Sequence, residues 1–437
     1  MSGLSRLRNM FRVPDLRNKI FFTIFIIFIF RVGSYIPVPY VDFKQITELK
    51  KNDATGALGF LDLFSGGALT GAAVFALGIM PYITSSIIMQ LLGVVIPKLE
   101  QWQQEGQTGQ KKITQWTRYL TVALALMQST ALVFVMKSGK GGLLGQSYER
   151  LPEGFVLIHD FTAFKAALII LTWTAGTALV MWLGELITQR GIGNGMSLLI
   201  FASILTSAPA GISAWWNGSS FEKLSLPLVV VAVIFAVVYV QEGIRKIPIQ
   251  YAKRMVGRRM TSGGSTYLPL RVNMAGVIPV IFAAAIMAFP ATVFQLVPSG
   301  FTRDLAGWLG YGSWAYIIGE GTLIFLFTFF YVAVIFNSIE QADNLKKYGG
   351  FIPGVRPGRP TAQYLERVLV RLTVAGALFL ALVAELPTLF IKFADFSPAT
   401  ARALGGTSVL IVVGVAIDTM RQIESQLSMR AYKGFLR

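Results

Sequence analysis

Only a few residues in the long apolar stretches of this chain could do chemistry, and they are carboxylates. Glu185, Glu320, Glu385 and Asp418 fall inside or at the edge of such stretches. An ionisable side chain at mid-membrane would mark an ion or proton path. Glu185 and Asp418, however, lie near predicted cytoplasmic ends, Glu320 comes early in its stretch, and Glu385 lies near an outer end, close to Pro387. Arg31 is close enough to the outer end of the first stretch for its head to snorkel to the interface. None of them sits where an ion-coupled solute transporter, the alternative kept in view, would need it. With 0 cysteines there is no disulfide framework and no thiolate metal site. The single histidine, His159, lies in a neutral outer loop and reads as solvent-facing. There is no zinc spacing, no phosphate loop and no nucleophile–base constellation. The expectation is a protein that is not an enzyme and holds no cofactor.

At mid-depth the chain carries a repeated apolar motif. Phe75–Ile83 contains Gly78-Ile-Met-Pro81, and Asn273–Ile281 contains Gly276-Val-Ile-Pro279. Proline removes a backbone donor and glycine loosens the same turn, so both helices are expected to be weakened at matching depth. Matching interruptions in two halves of a membrane protein point to a pathway between the halves. Ile79 and Ile83 are four residues apart on one helix face, and Ile281 matches Ile83 in the second copy. Such side chains either pack against lipid and neighbours or, beside an internal path, close it by dewetting. Thr84, Ser85, Ser86 and Gln90 follow the first motif and Asn273 opens the second. These groups could bond across a helix seam, each contributing about 0.6 kcal/mol.

The elements that must position these residues are membrane helices. The chain has 437 residues, 54% hydrophobic and 14% charged, with a mean hydropathy of +0.60. Ten apolar windows stand out: 20–36, 72–96, 119–136, 163–187, 196–212, 226–240, 274–297, 316–336, 369–389 and 407–420. The net charge of +17 is concentrated in the N-terminal segment, in the loops after the second, sixth and eighth windows, and in the C-terminal tail. Loops 37–70, 137–162, 213–225 and 298–315 are close to neutral. This alternation predicts an even number of spans with both termini in the cytoplasm. The first window follows a basic stretch, as in a signal peptide, but has no small-residue cleavage site and reads as a retained span.

The fold class expected is an all-α polytopic membrane protein with ten transmembrane helices. They would form two inverted five-helix halves, 1–215 and 216–437, around a central path. Segment 58–69 is apolar, too short to span, and hinged at Gly66, Gly67 and Gly71. It reads equally as a re-entrant, pore-occluding element or as an interfacial helix. Loops 241–272 and 337–367 are rich in basic residues, proline and glycine, and should be ordered protrusions. Their charge suits lipid heads, RNA or an acidic protein surface.

Long motifs then resemble those of the SecY family, the channel subunits of the bacterial protein-conducting translocon. They include Arg31–Pro39, Phe75–Ile83, Gly109–Ile113 followed by Arg118-Tyr119, Trp182–Gly195, Tyr251–Arg254, Leu268–Pro279, Ala342–Lys347, Phe351–Gly358 and Gly405–Ile411. The resemblance covers essentially the full length. It implies a pore ring at Ile79, Ile83, Ile200, Ile281 and Ile411, of which Ile200 and Ile411 come from the resemblance alone. It implies a plug near 57–69, comprising Gly59, Phe60, Leu61, Asp62, Leu63, Phe64, Ser65, Gly66 and Gly67. Pro81, Ser85, Ser86, Gln90, Asn273, Gly276 and Pro279 would belong to a lateral gate between the second and seventh spans. Arg258, Arg259 and Arg356 would dock a partner. Such a channel passes unfolded preproteins across the inner (plasma) membrane and releases signal sequences sideways into lipid. The implied partners are SecE, SecG, the SecA ATPase, the ribosome, signal peptides and preproteins, and anionic lipids. Glu385 departs from the family pattern, which is commonly apolar there.

Overall fold

The computed structural model describes residues 13–41, 62, 64–138, 161–251, 254–256, 259–261, 265–294, 313–393 and 406–434. Among these, twelve helices run in the order α1 (Pro14–Gly33), α2 (Met80–Val95), α3 (Pro97–Gln104), α4 (Gln107–Ser138), α5 (Ala163–Arg190), α6 (Gly195–Asn217), α7 (Ser220–Glu242), α8 (Ile278–Phe294), α9 (Trp314–Ile335), α10 (Ser338–Lys347), α11 (Arg359–Phe393) and α12 (Gly406–Gly434). All but α3 and α10 coincide with one of the ten apolar windows. By length and composition alone, six helices are apolar enough to cross a membrane, or seven if the bent α2–α3 pair is one span. The chain is thus a mostly helical, multi-pass membrane protein, its strands confined to the loops between helices. The basic residues on α1 and α4 dilute apolarity at their ends, and α8 is short.

The helix ends are written in local chemistry. Asn194, Ser219, Ser313 and Asn337 each accept a backbone N–H in the first turn of α6, α7, α9 and α10. Ile96 precedes Pro97 and is held extended, so α2 stops there and α3 leaves at 105°.

The two Gly-x-x-Pro motifs do not kink continuous helices, as the sequence suggested. Pro81 occupies the first turn of α2, where its missing N–H has no intrahelical partner to lose. Pro279 likewise falls in the first turn of α8. Gly78 (φ 55°) and Gly276 (φ 64°) adopt the left-handed conformation just before each helix. Residues 66–79 are consequently irregular backbone at membrane depth, tolerated because protein surrounds them. The Trp173 indole donates to the Ala73 carbonyl at 3.0 Å. Val38 and Val74 pair through backbone bonds with Ala72 and Ile36. A Cβ on Gly176 would stand 2.1 Å from the Val74 carbonyl oxygen, so only glycine lets α5 approach this segment.

Helices α1–α6 and α7–α12 meet chiefly where α2 packs on α8 and α6 packs on α12. Outside the bundle, the loops 241–272 and 337–367 prove to be one structure. Strand β1 (Ile244–Tyr251) pairs antiparallel with β4 (Ser265–Arg271) and, at its end, with β5 (Gly350–Phe351). Ile247, Leu270 and Ile352 from this sheet pack with Leu365 and Val368 of α11. Strands β2 (Arg254–Val256) and β3 (Arg259–Thr261) pair antiparallel in a separate two-stranded sheet.

Candidate functional site

The site is assembled around isoleucine. Ile79 is the last residue before α2 and Ile83 lies on its first turn, while Ile200 is on α6, Ile281 on α8 and Ile411 on α12. All five are buried and belong to one apolar cluster. The four helices that hold them are those that join the two groups of helices. Phe64 and Ala68 of the irregular segment belong to the same cluster.

That segment is held in place by polar bonds. Asp62 is its organising residue: its carboxylate accepts from the Leu69 and Thr70 amides, both at 3.1 Å, and from the Ser65 and Thr70 hydroxyls. Arg31, at the outer end of α1, ties the segment to that helix. Its guanidinium donates to the Gly66 carbonyl and to the Tyr35 hydroxyl, each at 2.6 Å, and lies 4.4 Å from the Tyr35 ring centre. Gly66 has used its carbonyl for a charged donor because its left-handed backbone (φ 66°) turns that group toward α1. Gly67 and Ser65 continue the turn, and the Ser65 backbone meets Gly78, where a Cβ would come within 3.1 Å. Gly59, Phe60, Leu61 and Leu63 of the implied plug lie outside the described residues. Arg31→Met should release the turn. A cysteine placed at the buried Ser65 is then expected to react with an aqueous maleimide roughly tenfold faster, since a charge-assisted bond is worth about 1.5–3 kcal/mol.

Beside the isoleucines lies a cavity of 390 Å³. Tyr82, Ile83, Ser86 and Gln90 of α2 and Ile278, Ile281 and Phe282 of α8 line two of its walls. Arg118, Glu185, Thr188, Gln189 and Asn194 supply a polar side. Arg118 grips Glu185 with two donors, one at 2.8 Å from its Nε, and also reaches Gln115 at 3.0 Å. Each of these charges therefore has its partner within the wall.

The polar residues expected along the seam behave differently from the expectation. Ser85 turns away from α8 and donates to the Thr117 carbonyl of α4 at 2.7 Å. Thr84 bonds back to Met80, and the Asn273 amide bonds Gly276 within its own turn at 2.9 Å. Thr84 follows the habit of a helical hydroxyl of bonding the carbonyl four residues back, whereas Ser85 reaches a neighbouring helix on the side away from α8. Ser86 and Gln90 face the cavity. Pro81, Gly276 and Pro279 shape the two helix starts, as above. In the charged loops, Arg356 is exposed on a turn flanked by Gly354 and Gly358, both with positive φ. Arg259 opens β3, and Arg258 lies outside the described residues.

The roles of Asp62 and Arg31 as holders of the segment were missed in the sequence. Asp62 followed at seven and eight residues by Leu69 and Thr70 is too long a span for a helix cap, and Arg31 meets its partner 35 residues away.

Fold and site together define a multi-pass helical membrane protein in which a short turn of chain, tied by Asp62 and Arg31, packs into the apolar cluster shared by the two groups of helices. The family model described as SecY matches residues 73–420. The protein translocase subunit SecY of Streptomyces scabiei is 49% identical over 444 residues, covering 98% of each chain. That of Mycobacterium tuberculosis is 47% identical over 454 residues, covering 99% of this chain and 100% of the relative. The chain belongs to the SecY family. Its fold is also that of a solved protein-conducting channel, with a TM-score of 0.59 at 18% identity over 93% of this chain and 91% of that one. Sec61 from a canine ribosome–channel complex gives 0.57 at 17% identity over the same shares.

Proposed function

We propose that this chain is the channel subunit of a protein translocase, moving unfolded preproteins across the membrane and releasing apolar segments into lipid between α2 and α8. The observation that carries the reading is that five buried isoleucines, from or beside the four helices that join the two groups, share one apolar cluster with Phe64 and Ala68. A polypeptide presents side chains of every size and charge, so its channel must seal without gripping any of them. A ring of branched apolar side chains does this by dewetting when empty and by compliance when occupied. The segment held by Asp62 and Arg31 is the plug.

The halves 1–215 and 216–437 act as two jaws. Their joint at α2–α8 carries the cavity and an apolar facing surface, which suits a seam that opens to lipid. An apolar signal sequence would move through it, favoured by about 25 cal/mol per Å² of apolar surface withdrawn from water. Solute transport coupled to an ion has less support, because Glu320 and Glu385 do not line the cavity.

The basic cytoplasmic protrusions are the docking surface for SecA or the ribosome, and their union in one sheet makes them a single platform. Exposed apolar residues on α1 (Phe21, Phe25, Phe28) and α7 (Leu224, Leu228, Phe235) would face lipid or the SecE and SecG subunits. Juxtamembrane lysine and arginine suit anionic lipids. The charge alternation supports an inner-membrane protein with both termini in the cytoplasm. Arg356→Glu is the test. Partner-driven translocation into proteoliposomes is expected to fall about tenfold or more, with stability unchanged, because the variant puts a like charge against an acidic partner surface. Wild-type translocation by this variant would remove the docking role.

A further inference from the structure

The sheet formed by the charged loops and the helix α8 grow from one root. Helix α7 ends at Glu242 and β1 begins at Ile244, while β4 ends at Arg271 and α8 begins at Ile278. Where the two strands leave the bundle, the Val272 amide donates to the Gly243 carbonyl at 2.9 Å. The Asn273 side chain then bonds the Gly276 carbonyl at 2.9 Å in the turn that launches α8. The end of α7, the foot of the sheet and the start of α8 are thus joined as a single bonded piece.

That piece rests on α12, which packs against α7. Gly414, Asp418 and Arg421 share one face of α12, four and seven residues apart. A Cβ on Gly414 would collide with the Val277 side chain, so only glycine allows this approach. One turn on, an Asp418 carboxylate oxygen lies 3.8 Å from the place of a Cβ on Gly276. Arg421 reaches across to α7, where its Nη2 donates to the Gln241 carbonyl at 2.8 Å and to the Glu242 carboxylate at 2.9 Å. The Gln241 carbonyl is one of those that a helix leaves unsatisfied at its end, and a cation there also meets the negative end of the helix dipole.

The joint is not fully bonded. Arg421 Nη1, Gln241 Nε2 and Asn273 Oδ1 are buried without a hydrogen-bond partner. The Asp418 carboxylate stands 3.9 Å from Arg421 Nη1, beyond hydrogen-bond distance. A fully satisfied network would fix one arrangement, whereas unpaired buried groups narrow its margin. A move of about 1 Å would give Arg421 a bond to Asp418, on its own helix, in place of those to α7.

We propose that Arg421 is a positioning residue for the gate: its clamp on the end of α7 holds the shared root, and with it the start of α8, on α12. The proposal rests on the reading of the α2–α8 seam as the gate. Once released from α7, Arg421 turns to Asp418, and the sheet and the start of α8 lift as one piece. Force applied to the sheet therefore reaches α8 through this joint.

Arg421→Met, which removes the donors and keeps an unbranched chain, tests the clamp in the full chain in lipid nanodiscs. Val277→Cys, at a position 3% exposed, is expected to react with an aqueous maleimide about tenfold faster in the Arg421→Met background, since the bonds lost are charge-assisted. Ile169→Cys, wholly buried in α5 of the other half, should react no faster. Ser86→Cys with Ile278→Cys, whose positions line the cavity, should be bridged severalfold more slowly by a short bis-maleimide and undiminished by a long one. Arg421→Lys should recover most of both effects. Unchanged reactivity at Val277→Cys or unchanged bridging would overturn the proposal. So would an equal rise at Ile169→Cys, which marks general loosening, or a lysine that restores nothing. Neither reading uses a preprotein, and a gate that lies elsewhere shows instead as undiminished transport by the bridged protein.

Discussion

Replacing Ile79, Ile83 and Ile281 together by serine is expected to raise the resting ion conductance of the reconstituted protein by about tenfold or more. All three are buried in the cluster that includes Phe64 and Ala68. An apolar constriction excludes ions because water that enters it loses hydrogen bonds. Each isoleucine withdrawn from water is worth about 1.5–3 kcal/mol, and about 1.4 kcal/mol corresponds to a factor of ten. Serine shortens the side chain and offers a hydroxyl to water, so both the barrier and the seal against the plug decline. The helices should persist, since serine and threonine already occur in α2 at Thr84, Ser85 and Ser86. Planar-bilayer recordings read the conductance. Leu228→Ser on α7, exposed on the outside of the bundle, should leave it unchanged.

A covalent bridge between α2 and α8 should have the larger effect on transport. The chain contains 0 cysteines, so cysteines placed at Ser86 and Ile278 would be its only thiols. Both positions line the cavity between the two helices. A short cleavable crosslinker joining them is expected to reduce translocation of a signal-bearing preprotein by about a hundredfold. At the seam Ile83, Ile278, Ile281 and Phe282 line the cavity together with Ser86 and Gln90, while Ser85 and Asn273 are bonded elsewhere. Unbridged, it opens against packing and polar contacts that in a membrane are modest. A covalent tether removes that freedom. Cleaving the crosslinker should restore transport, which separates a locked gate from a damaged fold. Undiminished transport by the bridged protein would exclude a moving α2–α8 seam.

How much of this was legible in the sequence depended on the distance over which each feature is determined. The ten apolar windows were legible because twenty apolar residues make a span whatever their neighbours do. The Gly-x-x-Pro pair was legible as a special place and misjudged in form. A proline in an apolar window can kink a helix or start one, and the left-handed glycine that decides this depends on the Ser65 backbone lying against Gly78. The order of loops 241–272 and 337–367 could be read from their turn residues. Their union could not, since it rests on the pairing of Gln250 with Phe351 across an intervening pair of spans. The bond from Arg31 to Gly66 could not be read, because its acceptor is a backbone carbonyl and carries no signal in side-chain identity. Ile200 and Ile411 are ordinary isoleucines by periodicity, and only resemblance singled them out.

If the five isoleucines form the pore ring, a translocating polypeptide must pass between them. A photoreactive amino acid at Ile83, with a preprotein stalled midway through the reconstituted protein, tests it most directly. Efficient crosslinking of the stalled chain is expected from Ile83, and none from the same probe at Leu228 on α7. Equal labelling from both positions, or labelling from Leu228 alone, would contradict it.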